Sequence, residues 1–295
     1  MTDTLYRGTA LSDSFRIFAV DATQTAQKAR DIHDLSPVAT ILMGKMISAA
    51  AILSMDIKNQ DSEITLRIDG DGELKGGMVI CNEKGHIRGY LKNPKLFLED
   101  AEDNFHPGRF LGEGTLSVIR QSPHAQPWIG STELITGEIA EDLAHFYLQS
   151  EQIPSAVALG ILIDPEARIR ACAGFMIQQL PFAAADKAQK LIHNLQNTPN
   201  LSDLMDMGLS VVEVLERFVF KEMDLNLSEF RQIEYRCNCT KEAFARSLIT
   251  LGLEELESMS EGITPICHYC NAEYHFSTAD IAALIQVLKE GEKNA

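Results

Sequence analysis

The 295-residue sequence has few basic residues, few aromatic residues and no long apolar run. It has 26 lysines and arginines against 42 aspartates and glutamates, a formal net charge of −16. A nucleic-acid-binding protein needs a basic surface to displace phosphate counterions, so this charge balance disfavours that class. The longest stretch without a charged side chain, 171–185, contains Pro181 and two glutamines, and we therefore expect no membrane span.

The start of the chain lacks the pattern of a secretory signal. It reads MTDTLYRG, with an aspartate at position 3 and no apolar segment behind it. At the same time, 45% of the residues are hydrophobic, enough for a chain of this length to bury one or two cores. We therefore expect a soluble, acidic, cytoplasmic protein.

Motifs of several enzyme classes are absent as well. Gly44-Lys45 has neither the following Ser/Thr nor the upstream glycine of a phosphate-binding loop. The segment GDGELKG at 70–76 is one residue out of register for a dinucleotide fingerprint, and no serine has the flanking glycines of a nucleophile elbow. The sequence predicts neither a nucleotide partner nor an enzyme.

The cysteines carry the strongest chemical signal. Cys81 and Cys172 are isolated, whereas the other four form a C-x-C pair and, further along the chain, a C-x-x-C pair: Cys237, Cys239, Cys267 and Cys270. In a chain without a secretory signal, paired cysteines indicate metal ligands before disulfides. Four thiolates match the tetrahedral shell of one Zn²⁺ ion.

Other interpretations of these cysteines are weaker. A zinc deaminase needs an H-x-E motif upstream of P-C-x-x-C, and no histidine here has a glutamate two positions later. A thioredoxin-like dithiol belongs near the start of a domain, not in the last tenth of a chain. His268 and His275 are alternatives to a sulfur ligand, although four cysteines already complete the shell.

The pattern along the chain predicts an α+β protein in three parts. Residues 1–179 read as an α+β core domain, with an apolar core helix after Ser36-Pro37 and several strands. Residues 180–236 read as a helical, metastable linker, and residues 237–295 as a small zinc-binding domain.

The linker contains an amphipathic pattern. Apolar residues recur at helical spacing over one face: Val211, Val214, Leu215, Phe218 and Val219. Packing onto the first domain and a transient client-binding surface are both compatible with this stripe.

The small size of the segment 237–295 suggests what the metal does. A core this small rarely supplies more than about 3–5 kcal/mol, whereas a structural zinc contributes roughly 10–16 kcal/mol. Disulfides within each pair would close loops of three or four residues, worth about 2 kcal/mol each at best. We therefore expect oxidation to eject zinc, unfold 237–295 and release the linker.

These features together resemble a known family, the bacterial redox-regulated heat-shock chaperones, also called the thirty-three-kilodalton chaperonins. The cysteine arrangement at the C-terminus carries the resemblance, and five further segments look like that family's core domain. They read SPVATILMGKMISAAAILS, GDGELKGGMV, GHIRGYL, ITGEIAEDLAHFYLQSEQIPSAVALGILI and FMIQQLP.

The resemblance implies a function and a set of site residues. Cys237, Cys239, Cys267 and Cys270 would bind one zinc ion in the reduced, inactive form, and oxidation would form Cys237–Cys239 and Cys267–Cys270 disulfides. The protein would then dimerise and hold unfolding client proteins without ATP. Cys81 and Cys172 have no family role, and we expect buried free thiols.

Two other functions stay open at this point. One is a zinc-ribbon adaptor with a static metal site, although 4 basic and 9 acidic residues in 237–295 disfavour a nucleic-acid partner. The other is a zinc hydrolase or deaminase, which needs an open coordination position and a general base.

Overall fold

The structure, a computed structural model, describes residues 2–100, 105–123, 125–181 and 185–293. Contacts divide the chain into two compact units, Met1–Arg236 and Cys237–Ala295. The described residues form both helices and strands, which confirms the predicted α+β class. The division into three regions at 179 and 236 stays a prediction, and in this structure 180–236 belongs to the first unit.

The first unit is built on two sheets. The strands are β1 (Thr4–Ala10), β2 (Phe15–Asp21), β3 (Glu63–Gly70), β4 (Gly76–Asn82), β5 (His86–Leu91), β6 (Gly114–Gln121), β7 (Trp128–Glu133), β8 (Ser155–Ile163), β9 (Ile169–Gln179), β10 (Leu225–Gln232) and β11 (Glu234–Tyr235). The first sheet has the order β10-β1-β2-β9-β8 and the second the order β11-β5-β4-β3-β6-β7. All pairs are antiparallel except β11 with β5.

The helices of the first unit pack around these sheets. They are α1 (Thr23–His33), α2 (Pro37–Leu53), α3 (Ile139–Ser150), α4 (Ala185–Asn197), α5 (Leu201–Asp206) and α6 (Val211–Val214). A single π-helical turn, Leu215–Val219, continues α6.

Helix α2 is the centre of the larger core. Ser36 is its N-cap, Pro37 occupies the first turn, and 15 of its 17 residues are buried, as the apolar sequence predicts. It contacts strands of both sheets. With its continuation to Asp56 it is long and apolar enough to cross a membrane, but 89% of that window is buried inside the protein, as in the core helix of a globular fold.

The first sheet is apolar on both faces. On the face toward α2, Phe18, Val20 and Met176 join the larger core. On the opposite face, Ile17 and Phe175 belong to a second cluster, which helices α4 to α6 cover. Burial of both faces is typical of strands whose sequence is continuously apolar.

The region predicted as a helical linker is helical only in part. Helices α4 to α6 and the π-helical turn account for 185–219, but 225–232 form β10, which pairs with β1 along its whole length. The prediction of helix was wrong for this strand. The first half of its sequence, LNLS, alternates apolar and polar residues, which favours a strand, and the alternation breaks where the pairing register with β1 shifts.

The second unit is small. Its helices are α7 (Lys241–Ile249), α8 (Leu253–Ser258) and α9 (Thr278–Lys293). Among the residues described, its core has four buried hydrophobic side chains, Leu248, Leu256, Phe276 and Ile281. This core is much smaller than either cluster of the first unit.

The pairing of β1 with β10 depends on Gly8. A β-carbon at this position would lie 1.9 Å from the carbonyl oxygen of Asn226, so only glycine lets the two backbones approach this closely. We expect Gly8→Ala to destabilise the first unit by about 1–3 kcal/mol and to expose β10 to protease. Urea unfolding and limited proteolysis would measure both effects, with Ser228→Ala, an exposed change on β10, as the control. Equal stability and cleavage of the two variants would contradict a role for Gly8 in this pairing.

Candidate metal centre

The first cysteine pair lies directly before a capped helix. Thr240 follows Cys239 and is the N-cap of α7, and its hydroxyl accepts a hydrogen bond from the amide of Ala243 at 3.2 Å. An N-cap fixes the backbone where the helix begins. The C-x-C segment is therefore held in place by the helix that follows it.

The second pair sits in a tight turn. The carbonyl of Cys267 accepts hydrogen bonds from the amides of Asn271 at 2.8 Å and Cys270 at 3.3 Å, and the amide of Cys267 donates to Ala272 at 2.9 Å. Asn271 has a left-handed backbone with φ of 55°, a conformation that asparagine tolerates. Two antiparallel bridges, one of them Ile263 with Phe276, flank the turn.

The four thiols come together in one cluster. All four Sγ atoms lie within 4.8 Å of one another, with 3.8 Å between Cys237 and Cys267 and 3.3 Å between Cys239 and Cys270. A tetrahedral site with Zn–S bonds of about 2.3 Å has sulfur atoms roughly 3.8 Å apart. The cluster can thus hold one metal ion, and its size and four sulfur donors fit zinc.

The alternative ligands lie outside this cluster. In the described part of the chain, the grouping of metal-ligating side chains contains the four cysteines and no histidine. The ring of His275 instead contacts the hydroxyl of Thr264, with 3.1 Å between Nδ1 and Oγ1. With four sulfur donors in place, the geometry favours a closed structural site over an open catalytic one.

The local environment makes the four thiols unequal. Burial raises the pKa of Cys237, and it raises the pKa of Cys270 to about 11. Burial also opposes ionisation of Cys239, but a hydrogen bond from the hydroxyl of Tyr274 and contacts with the other thiols outweigh it and lower the pKa of Cys239. Cys239 therefore ionises more readily than Cys237 or Cys270 in the metal-free cluster.

Tyr274 contacts the thiol cluster from outside its four cysteines. Its hydroxyl lies 3.1 Å from Cys239 Sγ and donates to the carbonyl of Cys239 at 2.8 Å, and its ring stacks with Phe244 at 4.9 Å between centroids. The sequence contained no signal for this role. It requires Tyr274 and the C-x-C segment, 35 residues apart, to meet in space.

A lysine next to the site forms an ion pair. Lys241 Nζ lies 3.1 Å from a carboxylate oxygen of Asp280 and 5.0 Å from the ring centroid of Phe276. Asp280 also accepts hydrogen bonds from Ser277, and the pKa of this carboxyl is lowered to about 2, first by the Ser277 amide and then by Lys241. These contacts join the starts of α7 and α9 to the small core.

The predicted client-binding residues lie elsewhere, in the first unit. Val211, Val214, Leu215 and Val219 are buried in the cluster under α4 to α6, and Phe218 is half-buried against it. The π-helical turn shifts the predicted spacing, so that Phe220 is also buried. Their role in client binding stays a prediction.

Cys81 and Cys172 are free and fully buried, as expected. Burial raises the pKa of Cys81 to about 11 and that of Cys172 to about 12. Both thiols are therefore neutral and unreactive in the folded protein.

Comparison with known proteins gives one consistent result. A family model described as Hsp33 protein matches residues 3–277. The 33 kDa chaperonin of Acetivibrio thermocellus is 32% identical over 293 residues, covering 98% of this chain and 99% of that protein. The 33 kDa chaperonin of Clostridium perfringens strain SM101 is 36% identical over 300 residues, covering 100% of this chain and 94% of that protein.

A solved structure agrees with these sequence matches. The 33 kDa chaperonin from Thermotoga maritima, described as a heat shock protein 33 homolog, superposes with a TM-score of 0.88 at 29% identity. The match covers 98% of this chain and 100% of that chain, so both units lie within the comparison.

The contact of Tyr274 with Cys239 gives a direct test of the metal centre. We expect Tyr274→Phe to weaken zinc affinity by about 10-fold or more, because loss of the hydroxyl raises the pKa of Cys239 and frees its carbonyl. Competition with a chelating dye at neutral pH measures the affinity. Tyr6→Phe, which removes a hydroxyl from the first unit, serves as the control, and equal affinities for the two variants would rule out a role for Tyr274.

Proposed function

The chain belongs to the Hsp33 protein family, and from this membership we propose that it is a redox-regulated, ATP-independent holdase whose switch is the four-cysteine cluster. Its function as an Hsp33-type chaperone follows from the family itself. Regulation by oxidation, release of zinc and the holding of clients are the parts that we propose.

The thiol cluster, set in a unit with a very small core, is the observation that carries the proposal. The second unit spans only Cys237–Ala295, and its described core has four buried hydrophobic side chains. Such a core rarely supplies more than about 3–5 kcal/mol, against roughly 10–16 kcal/mol from a structural zinc. When zinc is bound, it would supply most of the stability of this unit.

Oxidation would remove that stability. Each disulfide, Cys237–Cys239 or Cys267–Cys270, forms as two thiols pass two electrons to one peroxide, which is reduced to water. The two new loops are short, worth about 2 kcal/mol each at best, and they no longer join the two ends of the unit. We expect the second unit to unfold, because local crosslinks replace the long-range one.

The region 180–236 would then be released from the first unit. Two partly open pockets, of about 290 and 200 Å³, lie where its helices meet the first sheet, and they support this part of the proposal. Leu195 lines both of them. Pockets at this boundary reduce the contact between the helices and the sheet, so these helices would detach more easily than a continuous layer.

Release would uncover an apolar surface for clients. The outer face of the first sheet presents Phe15, Ile17, Phe175 and Ile177 beneath the helices, and all four are buried in the closed form. Val211, Val214, Leu215, Phe218 and Val219 would become available on the released segment. An exposed apolar face and a mobile apolar segment are the features expected to bind unfolding chains.

The remaining features of the proposal concern partners and location. We propose that the oxidised protein is a homodimer, that it acts in the cytoplasm without enzymatic activity, and that it binds no nucleic acid, membrane or nucleotide. The net charge of −16 would keep particles loaded with client in solution.

Light scattering from a chemically denatured client tests the proposal directly. The zinc-bound, reduced protein should fail to suppress aggregation, whereas protein treated with peroxide at raised temperature should suppress it, and a thiol reductant should reverse the effect. A cysteine-to-serine change at Cys267 should raise activity without oxidant. Failure in both redox states, with zinc retained under peroxide, would instead favour a static zinc-ribbon adaptor.

The π-helical turn provides a second test. We expect Phe218→Asp to raise activity of the reduced protein, because a carboxylate on the half-buried side of the linker destabilises its packing by about 1–3 kcal/mol. Arg217→Gln is the matched control, since it removes only an exposed pair with Glu213, worth about 0.5 kcal/mol or less. Wild-type behaviour of Phe218→Asp in basal activity and in client holding would remove this turn from the mechanism.

A further inference from the structure

We propose that a basic cleft in the first unit binds a small molecule that carries a phosphate group and an apolar moiety. The cleft has a volume of about 560 Å³ and presents three cationic side chains, Arg7, Arg16 and Lys58. A volume of this size is in the range of small-molecule sites. Its walls come from β1, β2, β10 and the turn that follows α2.

The positive charge of the cleft is not neutralised from within. Within the part of the chain that the structure describes, none of the ion pairs involves Arg7, Arg16 or Lys58. The carboxylate of Asp56 also lines the cleft, but Arg120 Nη2 and the hydroxyl of Tyr147 each contact it at 3.4 Å. In a chain of net charge −16, such a concentration of cations favours an anionic ligand.

The register of the strands explains why the cations share one face. Arg7 pairs with Phe18 across β1 and β2, and Thr9 pairs with Arg16, so the two arginines lie on the same side of the sheet. Ser228 of β10 lies opposite Arg7 on that side. Glu229, one residue further along, alternates to the other side.

Both arginines are oriented by aromatic rings. The guanidinium carbon of Arg7 lies 4.3 Å from the ring centroid of Phe230, and that of Arg16 lies 4.9 Å from that of Phe18. Arg16 also donates from Nε, at 3.1 Å, and from Nη2 to the side-chain carbonyl oxygen of Gln178. Stacking leaves the edge of a guanidinium to donate hydrogen bonds, so Arg7 can offer a paired set to a phosphate and Arg16 can add its Nη1 group.

The remaining wall is suited to an apolar group. Met55 and Ile57 line the cleft beside the phenyl ring of Phe230, and all three are partly buried. A ligand with a ring or short chain next to its phosphate would cover these side chains. This combination favours a phosphate ester over a bare inorganic ion.

Ligand binding would also oppose activation, a consequence that rests on the proposed function. Asn226, Ser228 and Phe230 of β10 belong to the region 180–236, whereas Arg7 and Arg16 belong to strands outside it. A ligand that contacts both sides binds only while β10 is paired with β1. By linkage, it must stabilise the closed form.

Calorimetric titration of the zinc-bound, reduced full-length protein with phenyl phosphate tests the site. We expect saturable binding that weakens with added salt, and about 10-fold weaker affinity for the Arg7→Gln, Lys58→Gln double variant, whose altered residues are both exposed. Arg168→Gln, which removes an exposed charge outside the cleft, should bind like the wild type. Inorganic phosphate should bind more weakly than phenyl phosphate.

The possible results distinguish failure of the proposed binding cleft from failure of the proposed chaperone function. Absence of binding, or equal affinities for the double variant and Arg168→Gln, would overturn the site. Where binding is seen, phenyl phosphate should slow protease cleavage within 180–236 of the peroxide-treated wild type and not of the double variant, and equal slowing of both would overturn the coupling. Binding in a protein that never becomes a holdase would leave the site standing and defeat the proposed function alone.

Discussion

The clustering of four thiols that could hold one metal ion is the constraint on which the organisation of the second unit depends. The second unit brings together two cysteine pairs from distant parts of its chain, and its described residues form a core of four buried hydrophobic side chains. A fold with so little apolar burial would depend on a metal crosslink. Because thiolates are easily oxidised ligands, the atoms that would stabilise the unit are also those that an oxidant would attack.

The first unit has the opposite character. Its central helix is almost wholly buried between two sheets, and the first sheet has a second apolar face under the helices that precede β10. Two partly open pockets lie where these helices meet the sheet. Under the proposed function, the helices would detach from this face while the core around the central helix stays folded.

The sequence predicts the four-cysteine cluster and the core helix better than it predicts the pairing of strands. Cysteine spacing identified the four thiols that meet in space, and the apolar run after Ser36-Pro37 identified the core helix, because both signals are local. The pairing of β10 with β1 joins segments near the two ends of the first unit, and the sequence pattern of the region around LNLSEFRQ predicts helix instead. The contact of Tyr274 with Cys239 and the arginines of the basic cleft depend likewise on tertiary structure, which no local pattern encodes. The π-helical turn also changes the spacing of the apolar residues after Val214, for which the sequence predicts a regular α-helix.

The apolar outer face of the first sheet has a thermodynamic consequence. Detaching the helices that cover Ile17 and Phe175 would hydrate apolar surface, and such hydration carries a positive change in heat capacity. The enthalpy and entropy of detachment would therefore both grow with temperature, and the free energy that holds the cover in place would follow a curve with a maximum. Above that maximum, each further degree of warming weakens the cover more than the last. Under the proposed function, warming would therefore act on the same surface that binds the clients.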